Sequence, residues 1–154
     1  MMTISEKLES DIRKRIEKQD FLPGREDVLK ELHLLLNSEE MNYIKAYDYD
    51  LFATHDIAGF CVRECKIDKE EISKTVGEML SLIEKYNLEF EELVIDLVVN
   101  RKSDFKMDHT EALSEAFSEV KSIDDKAIVW GVKLNPGQNS EKIKIIVCYM
   151  KDKS

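Results

Sequence analysis

The chain is poor in the residues that interrupt structure and in those that staple or ligate it. It has two prolines and five glycines in 154 residues, and the glycines, at positions 24, 59, 77, 131 and 137, never cluster. A phosphate cradle needs neighbouring bare backbone N–H groups, which a glycine-rich loop supplies; no such loop is readable, so neither a cofactor site nor nucleotide hydrolysis is expected. The three cysteines are an odd number and close no disulfide framework. If Cys61-Val62-Arg63-Glu64-Cys65 is extended, its two sulfurs stand about 13 Å apart, too far to share an ion or a bond. On a helix the same spacing would bring them together as a metal or redox pair. Buried structural thiols are the expectation. The histidines, His33, His55 and His109, are widely separated and none stands in a metal-ligand spacing.

Two further absences narrow the class. No apolar run approaches the roughly 20 residues that cross a bilayer, and the start MMTISEKLESD carries no apolar signal core; this predicts a cytoplasmic protein with no membrane contact. Bases are outnumbered, 23 against 32 acids for a net charge of −9. That balance repels a phosphate backbone and excludes a general nucleic-acid footprint.

What is present is a helix-rich, amphipathic pattern. Thr3 with Glu6 is a capping-box pair, and Ile4, Leu8, Ile12 and Ile16 recur every fourth residue, which predicts a helix over 4–19. Pro23-Gly24 ends it, and Val28, Leu29, Leu32, Leu35 and Leu36 predict a second helix over 25–36, completing a helical hairpin. A third short helix, carrying Met41, Ile44 and Tyr47, is expected after Ser38, with an extended path as the alternative. From Ile57 the run IAGFCVREC reads as a strand. Asp68 with Glu71 then caps a helix marked by Ile72, Val76, Met79, Leu80 and Ile83, reaching Tyr86-Asn87. ELVIDLVV is a β-branched run interrupted only by Asp96 and reads as a central strand. Asp108 with Glu111 should cap a helix over His109 to Val120, and AIVWGVKL and EKIKIIVCYM follow as strands joined by 135–140. A crossover through 68–87 sets the first two strands parallel, and the short final link makes the last two an antiparallel hairpin. The class is α+β: a four-stranded mixed sheet with helices on one face, preceded by the helical hairpin.

The stretch SIDDKAIVWGVKLNPGQNSEKIKIIVCYM, with EELVIDLVVN before it, resembles the C-terminal domain of FtsZ, the bacterial and archaeal tubulin homologue. The shared texture is an acid-rich turn, an apolar strand with a glycine inside it, a polar turn and a strand alternating charged with β-branched residues. The resemblance implies an N-terminal helical extension over 1–50 and an FtsZ C-terminal-like domain over 51–154. It also implies a protein partner: a homodimer or a tubulin/FtsZ-like filament. Where the family has glycines after the preceding strand, this chain has the bulky 100–107. In FtsZ an acid-bearing loop before the C-terminal domain enters a neighbour's nucleotide site; Tyr47-Asp48-Tyr49-Asp50-Leu51-Phe52 stands in roughly that place without the family's asparagine, which makes Asp48 and Asp50 candidates for contact.

Three further residues are candidates for a pocket. Thr54-His55-Asp56 is a triplet that orients an imidazole for general-base work. Asp96 shares one strand face with Val94 and Val98, a face that is open to a ligand, a partner or solvent unless something covers it, and Lys144 alternates similarly beside Ile143 and Ile145. Trp130 reads as a core anchor. The leading reading is a non-enzymatic protein-protein interaction module. The alternative is a small-molecule-binding protein or minor enzyme with His55, Asp56 and Asp96 lining a pocket between the sheet and the N-terminal helices.

Overall fold

The period-four stripe at Ile4, Leu8, Ile12 and Ile16 becomes α1, Ile4–Lys18, in a computed structural model that describes residues 2–41 and 48–153, the side chains of Asp48 and Tyr49 excepted. The Thr3 hydroxyl accepts from the Glu6 amide at 3.0 Å while the Glu6 carboxylate accepts from the Thr3 amide, the reciprocal box foreseen. α2, Arg25–Asn37, begins after Gly24, whose φ of +83° is left-handed and which backs onto the Phe60 carbonyl so closely that a Cβ would run into it. Then come β1 (Glu39–Glu40), α3 (Asp48–Thr54), β2 (His55–Lys66), α4 (Lys69–Leu80), α5 (Leu82–Tyr86), β3 (Glu92–Val99), α6 (Glu111–Ser118), β4 (Ala127–Leu134) and β5 (Lys142–Asp152).

The structure corrects the expected helices in three places. Residues 68–87 form two helices broken at Ser81, although Asp68 does cap the first by accepting from the Glu71 amide at 3.1 Å. Asp108 caps nothing: it lies in a 3-10 turn, Met107–Thr110, and α6 starts at Glu111 without a side-chain cap. Met41 continues β1 rather than starting a helix, its amide donating to the Val132 carbonyl at 2.8 Å; Ile44 and Tyr47 lie outside the described residues.

The fold is α+β, with a five-stranded mixed sheet in the order β1-β4-β3-β5-β2. β3 pairs parallel with β4 and antiparallel with β5, and β5 pairs antiparallel with β2. The fifth strand beyond the four expected is β1, paired with Leu134 and Lys133. The expected hairpin of the last two strands is not formed. Residues 135–141 arch over the end of β3, where the Asn135 amide donates to the Val99 carbonyl and the Asn100 side-chain amide donates to the Pro136 and Gln138 carbonyls. Two strand spacings are about 10 Å, well within the reach of seven residues. β2 and β3 do run in the same direction, with β5 inserted between them.

Helices cover both faces, not one. Leu93, Ile95, Leu97 and Val99 join Ile143, Ile145, Val147 and Tyr149 against Ile72, Val76, Met79 and Leu80 of α4 and Ala112, Leu113 and Ala116 of α6. Trp130 is half-buried at the margin of this core. On the opposite face Val94, Val98, Ile146, Cys148 and Met150 pack on Ile12, Ile16, Val28, Leu32 and Leu35 of the hairpin and Phe52 of α3. A β-bulge between Ile57 and Gly59 keeps Ile57 and Phe60, three apart, on this same side.

Candidate functional site

Asp96 is not on an open face. It is 1% exposed, beneath the hairpin, on the side of β3 that carries Val94 and Val98. One residue-pair further along, the cross-strand register draws a row of charge over the same face: Glu40, Lys133, Val98, Lys144 and Glu64 stand side by side on β1, β4, β3, β5 and β2. Lys133 is 3% exposed and donates to the Leu35 carbonyl at the end of α2 at 3.0 Å, with Glu40 at 3.9 Å. Lys144 meets Glu31 of α2 at 3.2 Å. A lysine at a helix C-terminus completes carbonyls that the helix leaves without internal donors. These lysines therefore seat α2 on the sheet.

His55 and Asp56 lie at the other end of the sheet, where α3 turns into β2. The His55 Nδ1 is 2.8 Å from the Thr54 hydroxyl, and its Nε2 is 3.6 Å from Asp152 and 3.8 Å from Glu92. Asp56 accepts from Arg15 of α1 at 2.9 Å, and the same guanidinium donates to the His55 carbonyl at 3.0 Å, to the Phe52 carbonyl at 2.6 Å and to Asp11 at 3.2 Å. Arg15 had no sequence signature of its own. Its signal was only that it neighbours the buried stripe at Ile12 and Ile16. Asp56 is thus a clamp between α1 and the sheet. It does not converge with Asp96, which is four residues up β3 from Glu92, about 13 Å along a strand. The space between hairpin and sheet holds packed side chains of the second core, and the expected pocket of His55, Asp56 and Asp96 is not assembled.

Asp50 is exposed on α3, and Asp48 begins the same helix, its side chain lying outside the described residues. The acidic stretch likened to an FtsZ loop is helical from Asp48 to Thr54, with Phe52 buried in the hairpin core.

The thiols of Cys61 and Cys65 are half-buried on β2, an extended strand as expected, and burial pushes both above the ordinary thiol range. Tyr149 is raised further by burial and donates to the Met79 carbonyl at 2.9 Å. Raised thiols are weak nucleophiles and weak ligands. Among the described residues no cluster of three or more His, Cys, Asp or Glu is placed to hold a metal ion. Among them, too, no helix is long and apolar enough to cross a membrane.

Open grooves mark the surface. One of about 590 Å³ runs between α4 and α6, floored by Gly77, Ala116 and Val120 and rimmed by Glu70, Glu78 and Glu119. Another, about 340 Å³, lies between the end of β2 and α4.

No family model matches the chain, and no curated protein matches it. Among solved structures it is similar to TubZ of Bacillus thuringiensis serovar israelensis in a GTPγS-form protofilament, with a TM-score of 0.50 and 15% identity over 92% of this chain. The chain spans 40% of the length of that structure. The fold is tubulin/FtsZ-like.

Proposed function

We propose that the chain is a non-enzymatic, cytoplasmic protein-protein interaction module, equivalent to the C-terminal domain of the tubulin/FtsZ-like fold with an N-terminal helical hairpin over 1–50 added to it. Its targets are other chains of that fold, either its own copies or a tubulin/FtsZ-like filament. The observation that carries this reading is the likeness of nearly the whole chain to part of a subunit found in a protofilament. The lack of a glycine-rich phosphate loop in the sequence agrees with a subunit that does not itself hydrolyse nucleotide. The pocket reading has no comparable support, because Asp56 serves the Arg15 clamp, the His55 imidazole stands beside Asp152 and Glu92, and Asp96 is buried elsewhere.

The test has two arms. Sedimentation velocity over a hundredfold range of concentration reads self-association, and co-pelleting with GTPγS-assembled filaments of a tubulin/FtsZ-like protein from the same source reads filament contact. A monomer at every concentration that also stays in the supernatant overturns the reading. Tight GTP binding by the isolated chain, with a dissociation constant of about 1 μM, would overturn the non-enzymatic part, since about 8 kcal/mol requires an organised phosphate site.

A further inference from the structure

β2 ends the sheet, with β5 on one side and no strand on the other among the described residues. Its first half is covered. The α1–α2 loop crosses the edge there, the Phe60 amide donates to the Pro23 carbonyl at 2.9 Å, and Phe21 reaches past it to Tyr86 with ring centroids 5.8 Å apart. An antiparallel ladder turns alternate residues outward. Because the Phe60 amide points away from β5, so do the backbone groups of Val62 and Glu64, and no described residue bonds them on that side. Two rungs of a ladder are left open at the surface.

Such edges are templates for another strand, and proteins that leave them exposed guard them with charge. Here the guards discriminate. Two copies pairing antiparallel about a twofold must match residues on the same face, so the axis passes through a residue. At Arg63 it sets arginine on arginine, and at Glu64 glutamate on glutamate. At Val62 it pairs Glu64 with Phe60, whose amide is already taken by Pro23. At Cys65 it pairs Glu64 with Lys66, the last residue of β2, whose carbonyl already accepts from the Asp68 amide where the chain turns into α4. In-register parallel pairing repeats every like-charge contact. The edge refuses a second copy of itself.

It does not refuse a foreign strand. Arg63 makes no ion pair among the described residues, its near neighbour being the Cys61 thiol. Lys66 stands opposite Lys142 with no described carboxylate on either. Glu64, by contrast, stands opposite Lys144. Arg63 is thus an exposed cation without a described carboxylate in a chain of net charge −9. The groove beside it, lined by Cys65, Thr75, Lys74 and Lys142 with Glu71 and Glu78 on the α4 side, leaves room for alternate side chains of an added strand. We infer that the Val62–Glu64 edge takes an extended segment of a different protein as a sixth strand, one that lays a carboxylate against Arg63. This rests on the interaction-module reading and names the surface and the partner's chemistry.

Two capped synthetic heptapeptides of alternating valine and threonine, with glutamate or lysine at the centre, test it on the full chain by amide hydrogen exchange. The glutamate peptide is expected to slow exchange at Val62 and Glu64 and to bind roughly fivefold more tightly than the lysine peptide. Arg63→Glu should invert that order without unfolding the chain. Val62→Pro, which removes an outward amide and no bond to β5, should abolish protection of Glu64. No protection by either peptide, or an order unchanged by R63E, overturns the inference. Filament co-pelleting that persists undiminished in R63E overturns the edge as the contact surface and leaves the interaction reading standing. Peptide protection without co-pelleting keeps the edge and removes the filament.

Discussion

Against the sheet face carrying Leu93, Ile95 and Leu97, α4 and α6 set aliphatic side chains, whereas against the face carrying Val94, Asp96 and Val98 the hairpin sets aliphatic side chains ringed by directional polar contacts. The helices of the first face are crossover connections, each tethered by a strand at both ends, so the chain itself places them. The hairpin helices are not crossovers. They are located instead by Arg15 on the Phe52 and His55 carbonyls and Asp56, by Lys133 on the Leu35 carbonyl, by Lys144 on Glu31, and by the Phe60 amide on Pro23. Apolar burial holds both layers down, and on the second layer hydrogen bonds decide where it sits. Arginine and lysine suit that task because their long apolar stems cross the packed layer while their heads reach backbone oxygens.

The severest way to break the comparison is to charge the apolar seam between the hairpin and the sheet. Ile12 and Ile16 are 2% and 1% exposed against the sheet, and replacing both with Asp buries two carboxylates with no designed partner. The expected loss is more than about 4 kcal/mol in urea unfolding. Because the packing is within one chain, ultracentrifugation should show no change of mass for whatever fraction remains folded. A double variant with wild-type stability would mean that α1 does not dock as described.

A milder cut on the opposite face separates tethering from packing. Ile72 is fully buried on α4, and Ile72→Ala should cost about 3 kcal/mol through lost transfer and cavity terms. Its near-ultraviolet circular dichroism should stay native, since the strands on either side still place the helix. Arg15→Met is the matching cut on the hairpin side: it keeps an apolar stem and removes the fork that holds four oxygens. The expected cost is about 2 kcal/mol, less than for Ile72, but with faster amide exchange along α1 and α3. If exchange in α1 is unchanged, the clamp does not position the hairpin.

These two residues also mark what was legible beforehand. Ile72 stood in a stripe of period 3.6, and such stripes placed α1, α2 and the α4–α5 segment closely; β3 was found residue for residue from its β-branched run. Arg15 belonged to no pattern, because a guanidinium that reaches carbonyls 37 and 40 residues away is visible only after the chain has folded. Strand order failed for a related reason. A link such as 135–141 has the reach to close a hairpin or to step over one strand, and local composition does not choose. A signal was nevertheless available. β5 is apolar without alternation from Ile145 to Met150, as suits a strand buried on both faces with neighbours on both sides, and β3 is such a strand too. Two fully buried strands side by side leave β2 and β4 to flank them, which places β5 inside the sheet rather than at its edge. The same continuous run showed that the face of Asp96 needed a cover, which the hairpin supplies. The candidate acids and histidine were legible as residues and not as a constellation, since their separation depends on that strand order.

The smallest effect sharpens the comparison at two glycines. Gly24 lies on the hairpin side with a left-handed backbone pressed on the Phe60 carbonyl, where a side chain meets both torsional strain and collision. Gly77 lies in the middle of α4 with no atom, beyond its chain neighbours and the helix's own backbone, within 4 Å of where a Cβ would stand. In a helix interior glycine costs up to about 1 kcal/mol relative to alanine, largely through the entropy of the unfolded chain. Gly77→Ala should therefore stabilise the protein by about 0.5–1 kcal/mol, read as a higher urea midpoint at unchanged slope. No internal contact of the fold explains the glycine, but Gly77 floors the groove between α4 and α6. A G77A chain that is more stable and still co-pellets with filaments would show that this groove is not the contact surface, leaving the β2 edge on the opposite margin of α4 to account for it.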